Sequence, residues 1–297
     1  MPRVSGLFLY PVKSLRGYAV PTAELDDLGF VGDRRFLVVD ATGKFLTQRT
    51  APRMARIDAR LSPGTLTLSA EGAGSVAVPT ASDPSAPLRT VSVWKSEGLQ
   101  AEDCGPGATA WLSEYLGLPC HLVRIGGRFT RPVLKSAARP GDLFTFADAC
   151  PFLIISEASL AHLNDRIQEN HGEPIPMNRF RPNIVVSDCD AFAEDFWSQI
   201  CIGPSVHGDA ATSPRFSRAE VAAAPVSGVV FRSAGKSVRC IVTTTDQLSG
   251  ERGKEPLKTM ATFRRNPADP TELYFGVNLI HETKRGTIRV GDRVETH

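Results

Sequence analysis

The chain has 297 residues, 42% of them hydrophobic and 22% charged, with 34 basic side chains against 32 acidic ones. A formal net charge of +2 makes no global field that would draw the molecule to nucleic acid or a membrane surface, so any anion site has to be local. No uncharged apolar run is long enough to span a bilayer, and residues 1–15 read as a strand and turn rather than a secretory leader.

In chain order, residues 4–10 form a β-prone run that stops at Pro11, and residues 35–40 form a second one before the turn Ala41-Thr42-Gly43. Residues 57–61 lead into Pro63-Gly64, after which residues 65–69 alternate apolar and polar side chains. Short strands at this spacing predict a barrel or sandwich for the first half. The Pro/Ser/Ala-rich stretch 79–87 reads as a loop. Trp111, Leu112, Tyr115 and Leu116 share one helical face, ended by Gly117-Leu118-Pro119. Ser156 caps a second helix carrying Leu160, Leu163 and Ile167. A strand follows at residues 184–187. Residues 204–227 show no convincing period and read as an exposed surface insertion. Residues 239–245 and 287–294 read as strands, and Pro256 opens a helical turn with Leu257, Met260 and Phe263 between them.

Several chemistries lack their signatures. There is no G-x-S-x-G, Walker A or H-E-x-x-H motif, the six histidines have no metal-ligand spacing, and Gly72-Ala73-Gly74 lacks the setting of a dinucleotide fingerprint. The six cysteines (104, 120, 150, 189, 201 and 240) contain no C-x-x-C pair, which argues against a zinc ribbon or an iron–sulfur cluster. In a chain this long they read as reduced thiols of an intracellular, cytoplasmic protein.

Three basic clusters stand at strand boundaries: Tyr10-Pro11-Val12-Lys13-Ser14, Gly32-Asp33-Arg34-Arg35-Phe36 and Arg179-Phe180-Arg181-Pro182-Asn183. Lys supplies a point charge for a phosphate and Ser a neutral donor. Each cluster is also an ordinary solvated loop if taken alone, and together they are one anion pocket only if the fold brings them together. Cys240 lies among β-branched residues, where a thiol often does no more than pack. A soft thiolate there would equally suit molybdenum or another soft metal.

These clusters recur in a fixed order with Asp33-Arg34-Arg35-Phe36, Pro151-Phe152-Leu153-Ile154-Ile155-Ser156-Glu157, Arg179-Phe180-Arg181-Pro182-Asn183-Ile184, Arg239-Cys240-Ile241-Val242-Thr243-Thr244, Lys254-Glu255-Pro256-Leu257 and Gly286-Thr287-Ile288-Arg289-Val290-Gly291-Asp292. The ordered set resembles the mitochondrial amidoxime-reducing component and its bacterial relatives over nearly the whole chain. That resemblance implies a mainly β fold with a few helices. It places a MOSC N-terminal β-barrel region over residues 1–120 and a MOSC domain over 121–297. It implies a molybdenum cofactor, Mo-molybdopterin, whose metal is bound by Cys240 as the catalytic ligand. It also implies cofactor contacts from Lys13, Ser14, Arg35, Arg181 and Asn183.

The chain departs from the animal enzymes at Val238 (there Ser), at Ala149-Cys150 (there Thr-Ser) and at Asn278 (there Tyr). Cys150 and Asn278 are further expected cofactor contacts. The implied reaction is two-electron reduction of N-hydroxylated small molecules such as amidoximes, hydroxylamines and N-hydroxylated bases. With no flavin or nicotinamide motif, and no C-terminal ferredoxin-type domain expected, electrons are to come from a separate cytochrome b5- or ferredoxin-type carrier and its reductase. Two other readings stay open: a molybdenum-cofactor carrier or sulfur-transfer module without turnover, and an interaction protein in which Cys240 is core. A pyridoxal phosphate association is also left open by the resemblance.

Overall fold

The computed structural model describes residues 1–203 and 228–297. The insertion expected at 204–227 lies outside the described residues.

Seven strands close into a barrel: Arg3–Leu9 (β1), Phe152–Ser156 (β2), Ile184–Ser187 (β3), Gln199–Gly203 (β4), Val229–Arg239 (β5), Leu273–His281 (β6) and Arg293–Thr296 (β7). Their order around the barrel is β3-β2-β6-β5-β4-β7-β1, and β1 closes it by pairing with β3. In β1 the inward residues change from even to odd numbers, Val4 and then Leu7 and Leu9, across a register shift between Val4 and Gly6. Phe152, Phe231, Ile154, Ile184 and Leu279 fill the interior, with Phe30 entering edge-on to Phe152 at 4.9 Å.

The pair β2 and β3 is parallel, with Ile154 opposite Ile184. A parallel pair needs a crossover, and the helix Glu157–Glu169 supplies it. As expected, Ser156 caps that helix, its hydroxyl accepting from the Ser159 amide at 3.0 Å. Leu163 and Ile167 are fully buried against Ile155, Phe180 and Met260.

The N-terminal region adds a four-stranded sheet in the order Phe36–Asp40, Cys120–Arg124, Ser96–Asp103, Leu88–Val93, and a three-stranded sheet, Asp58–Ser62, Thr65–Ser69 and Ser75–Pro79. Leu112 and Leu116 of the helix Pro106–Leu116 pack into the core with Leu66, Leu68 and Leu122. In the first sheet Cys120–Arg124 pairs along Phe36–Asp40. Among the described residues no helix is long and apolar enough to cross a membrane. The molecule is mainly β, as its punctuated first half predicts.

Two strand expectations are corrected. The strand expected over 239–245 stops at Arg239, and Ile241–Thr244 forms a 3-10 turn with Cys240 at its start. The threonines override their β preference by bonding backward: Thr243 Oγ1 donates to the Cys240 carbonyl and Thr244 Oγ1 to the Ile241 carbonyl, both at 2.8 Å. Cys240 therefore stands at a strand end instead of inside a sheet. The run 287–294 is likewise divided, into Gly286–Arg289 and β7, by a turn with Gly291 at φ 97°.

Gly276 in β6 has φ 76°, and a Cβ there would lie 2.6 Å from Ile155 Cγ1 and 2.8 Å from the Ile154 carbonyl oxygen. Gly276→Ala is expected to destabilise the barrel by about 1–3 kcal/mol, read as a lower urea midpoint with an unchanged m-value.

Candidate functional site

A cavity of about 350 Å³ opens at one end of the barrel, where the turn after β1, the segments before β2 and β3, and the end of β5 meet. The Tyr10 amide donates to Asp33 Oδ1 at 2.9 Å and the Lys13 amide to the Phe36 carbonyl at 2.9 Å, so the turn after β1 is tied to the N-terminal sheet. Seven non-glycine residues have positive φ among those described, and four of them, Ser14, Arg34, Trp94 and Arg181, line this cavity. Each such conformation costs about 1–3 kcal/mol and persists only where its surroundings hold it, so the strain is concentrated at the site.

Among the described residues six cationic side chains line the cavity, Lys13, Arg34, Arg49, Lys135, Arg181 and Arg239, against one carboxylate, Asp148. Lys13 Nζ donates to Asp148 Oδ1 at 2.6 Å. Burial lowers the Lys13 ammonium to about 8 although Asp148 pulls it upward. Crowding by protein works against ionisation of Asp148, but the Lys13 charge and hydrogen bond outweigh it and hold the carboxyl below its usual range. The Trp94 indole N–H also donates to Asp148 Oδ1, at 2.7 Å.

Arg34 binds both oxygens of Asp33 at 2.8 and 2.7 Å and donates to the Arg181 carbonyl at 3.1 Å. The Arg34 and Arg181 guanidinium groups lie over the Tyr10 ring, 4.1 and 4.3 Å from its centroid. Burial pushes the Tyr10 phenol up to about 12 and brings Arg181 down to about 10. Arg239 donates to Ser237 Oγ at 3.0 Å and to the Phe180 carbonyl at 2.6 Å, and burial lowers it as well. Arg49 Nη2 donates to Cys240 Sγ at 2.9 Å while its guanidinium lies 4.3 Å from the Trp94 ring centroid. Burial raises the Cys150 thiol to about 12, which keeps it protonated at neutral pH.

Of the residues singled out from sequence, the structure brings Lys13, Ser14, Cys150, Arg181, Asn183, Cys240 and Asn278 to the cavity wall. Arg35 is placed elsewhere: its guanidinium donates to Asp26 Oδ1 at 2.6 Å and to the Phe30 carbonyl at 3.3 Å. The left-handed turn at Arg34, with φ 46°, precedes it, and Arg34 is the member of the pair that lines the cavity. Sequence reasoning missed Arg49, Trp94 and Asp148 as site residues. None lies in a recognisable motif, and the contacts that reveal them join residues 54 to 191 positions apart.

The residues fit an anionic cofactor that carries a metal. Among the described residues Arg181 Nη2 and Arg239 Nε are buried N–H groups without a partner, and an incoming anion would satisfy them. Among the described residues no group of three or more His, Cys, Asp or Glu side chains is arranged to hold a bare metal ion. A metal at Cys240 would thus need its other donors from its own organic ligand.

Comparison with known proteins identifies the domains of the chain. Residues 1–119 match the MOSC N-terminal beta barrel domain and residues 142–295 the MOSC domain. The chain is 34% identical to mitochondrial amidoxime-reducing component 1 of Mus musculus, over 98% of this chain and 81% of that protein. For the Homo sapiens protein of the same name the figures are 33%, 98% and 82%. It is also 29% identical to the molybdenum cofactor sulfurase of Danio rerio, covering 96% of this chain but 32% of that one. None of these descriptions supports pyridoxal phosphate, and that expectation is set aside.

Lys13 is mostly protonated at pH 7 and mostly neutral at pH 9, because its value of about 8 lies between them. Sulfate, whose own charge is constant over this range, is expected to bind about three- to tenfold more weakly at pH 9 by calorimetry. Lys13→Arg, charged throughout, should remove that step.

Proposed function

Because the chain belongs to the MOSC family, we propose that it is a molybdenum-cofactor-dependent reductase of N-hydroxylated compounds, with Cys240 as the protein ligand of the metal. The observation that supports this most is the position of the Cys240 sulfur, a soft donor in a cavity whose wall carries, among the described residues, six cations and one carboxylate. When bound, the cofactor supplies the two-electron chemistry that breaks the substrate N–O bond.

The chain's own residues do the holding and orienting. Lys13, Arg181 and Arg239 would bind the phosphate of the pterin, the guanidinium groups through N–H donors that have no other partner among the described residues. Ser14, Asn183 and Asn278 offer neutral donors and acceptors on the same wall. Arg49 fixes the orientation of the sulfur through its 2.9 Å contact. Cys150, buried and protonated, packs the wall and leaves the metal to the Cys240 sulfur. In this reading electrons arrive from a separate cytochrome b5- or ferredoxin-type carrier and its reductase.

The match to a molybdenum cofactor sulfurase favours a second reading, a cofactor carrier or sulfur-transfer module without turnover. It shares the cofactor and differs in having no substrate reduction.

Protein from a molybdenum-sufficient host should carry near-stoichiometric molybdenum and pterin, and Cys240→Ser should lose the metal or its thiolate-dependent absorption band. Loaded wild type supplied with an electron carrier should reduce benzamidoxime. Absence of both metal and pterin, in a host that loads other molybdenum enzymes, would rule the cofactor out. Loaded protein that transfers cofactor to an apo-enzyme but reduces nothing would select the carrier reading.

A further inference from the structure

A second cavity, of about 690 Å³, adjoins the first and shares with it the wall formed by Thr47, Arg49, Trp94, Lys135, Asp148 and Ala149. Its size lies in the range of small-molecule sites, roughly 300–1,000 Å³. Phe45, Trp94, Leu134 and Phe144 give it an apolar surface. Leu134 is 62% exposed and Trp94 45%, so two large apolar side chains face solvent within one concavity. Such a concentration marks a binding surface more often than chance exposure does.

Trp94 is held in place from several sides. Its indole N–H is bound to Asp148, its ring carries the Arg49 guanidinium, and Phe45 meets it edge-on at 4.9 Å. Its backbone is in the left-handed region at φ 55°, a conformation that a bulky residue keeps only under constraint. Beneath the cavity the buried Arg131 donates to the Thr145 and Ala147 carbonyls at 2.7 and 2.6 Å, which fixes the segment leading to Asp148.

The rim is charged with one sign. Lys44, Lys95 and Lys135 line it, and among the described residues none of them has a carboxylate at ion-pair distance. The lysines that do form ion pairs are Lys13, Lys236 and Lys284. The one acid on the lining, Asp148, already accepts from Lys13 and Trp94. An apolar aromatic-walled cleft with unpaired ammonium groups at its rim complements a flat apolar body that bears an anionic group.

We propose that this outer cavity is the substrate subsite, and that it selects N-hydroxylated compounds with a planar aromatic body and a carboxylate at the far end. The aromatic body lies along Trp94 and Leu134, the carboxylate meets Lys44 and Lys95, and the N-hydroxyl end passes Arg49 toward Cys240. This rests on the reductase reading for the identity of the reacting group, though not for the binding chemistry.

The test begins with calorimetry on cofactor-loaded, full-length protein, using 2-naphthoate and its uncharged methyl ester, neither of which is an N-hydroxylated substrate. Naphthoate is expected to bind about three- to tenfold more tightly than the ester, the scale of two exposed charge contacts. The double variant Lys44→Gln/Lys95→Gln should erase that difference and leave ester binding unchanged, and Trp94→Ala should weaken both ligands. In the reconstituted assay, 4-carboxybenzamidoxime should have a lower KM than benzamidoxime in the wild type but not in the double variant, at similar kcat. Equal binding of acid and ester, or naphthoate binding unaffected by the double variant, would overturn the proposal. So would binding of a polyglutamate peptide where naphthoate fails to bind, which would assign the face to an acidic protein. If naphthoate binds as expected and neither amidoxime is reduced, the reductase reading fails and the cavity stands as an aromatic-carboxylate site. If benzamidoxime is reduced and naphthoate does not bind, the subsite alone is lost.

Discussion

Two guanidinium groups held over one aromatic ring tie the site together. Arg34 and Arg181 lie 4.1 and 4.3 Å from the Tyr10 centroid, and their like charges repel each other. The arrangement stands because the ring's electron-rich face attracts both cations, and because Asp33 binds Arg34 through two hydrogen bonds. Asp33 also accepts the Tyr10 amide, and Arg34 donates to the Arg181 carbonyl. The knot therefore joins the end of β1, the N-terminal region and the segment before β3. Lys13 follows Tyr10 by three residues and Asn183 follows Arg181 by two, so the positions of both depend on it.

Barrel closure supplies the other half of the geometry. Asn183 sits where β1, β2 and β3 converge: its Oδ1 accepts from the Leu153 amide at 3.4 Å and its Nδ2 donates to the Phe8 carbonyl at 3.4 Å. Its own amide and carbonyl bond to Leu153 and Phe8 as well, both at 2.9 Å. Leu153 in turn faces Asn278 in the register of β2 against β6. Asn183 and Asn278 line the cavity and also belong to the strand junctions that shape it. A substitution at either position would act on stability and on binding together, whereas Arg49 and Lys13 reach the site by side chain alone.

The mainly β character, the Ser156 cap and the helix it opens are legible from local pattern, because each rests on a few neighbouring residues. Cys240 was harder. Its β-branched surroundings read as a continuous strand, but Thr243 and Thr244 use their hydroxyls to fold the chain back, a choice that propensity does not encode. The basic clusters were visible as motifs, yet their convergence depends on contacts across the barrel. Within the pair Arg34-Arg35 the selection of Arg34 follows from one left-handed residue, which a strand-parity argument cannot foresee. Arg49, Trp94 and Asp148 left no local signal: each is placed by partners far away in sequence.

Those same three residues join the two cavities mechanically. Asp148 accepts from Lys13 on one side and Trp94 on the other, the Trp94 ring carries Arg49, and Arg49 reaches the Cys240 sulfur. Each contact constrains the next, so an occupant that displaces the indole must break its bond to Asp148 and its stacking with Arg49. It would then change the donor at the sulfur without touching it. Conversely, charge placed in the inner cavity acts on Lys13 and, through Asp148, on the orientation of Trp94. The position of the outer wall and the environment of the sulfur are consequently set by one connected group of side chains, and neither can be altered independently of the other.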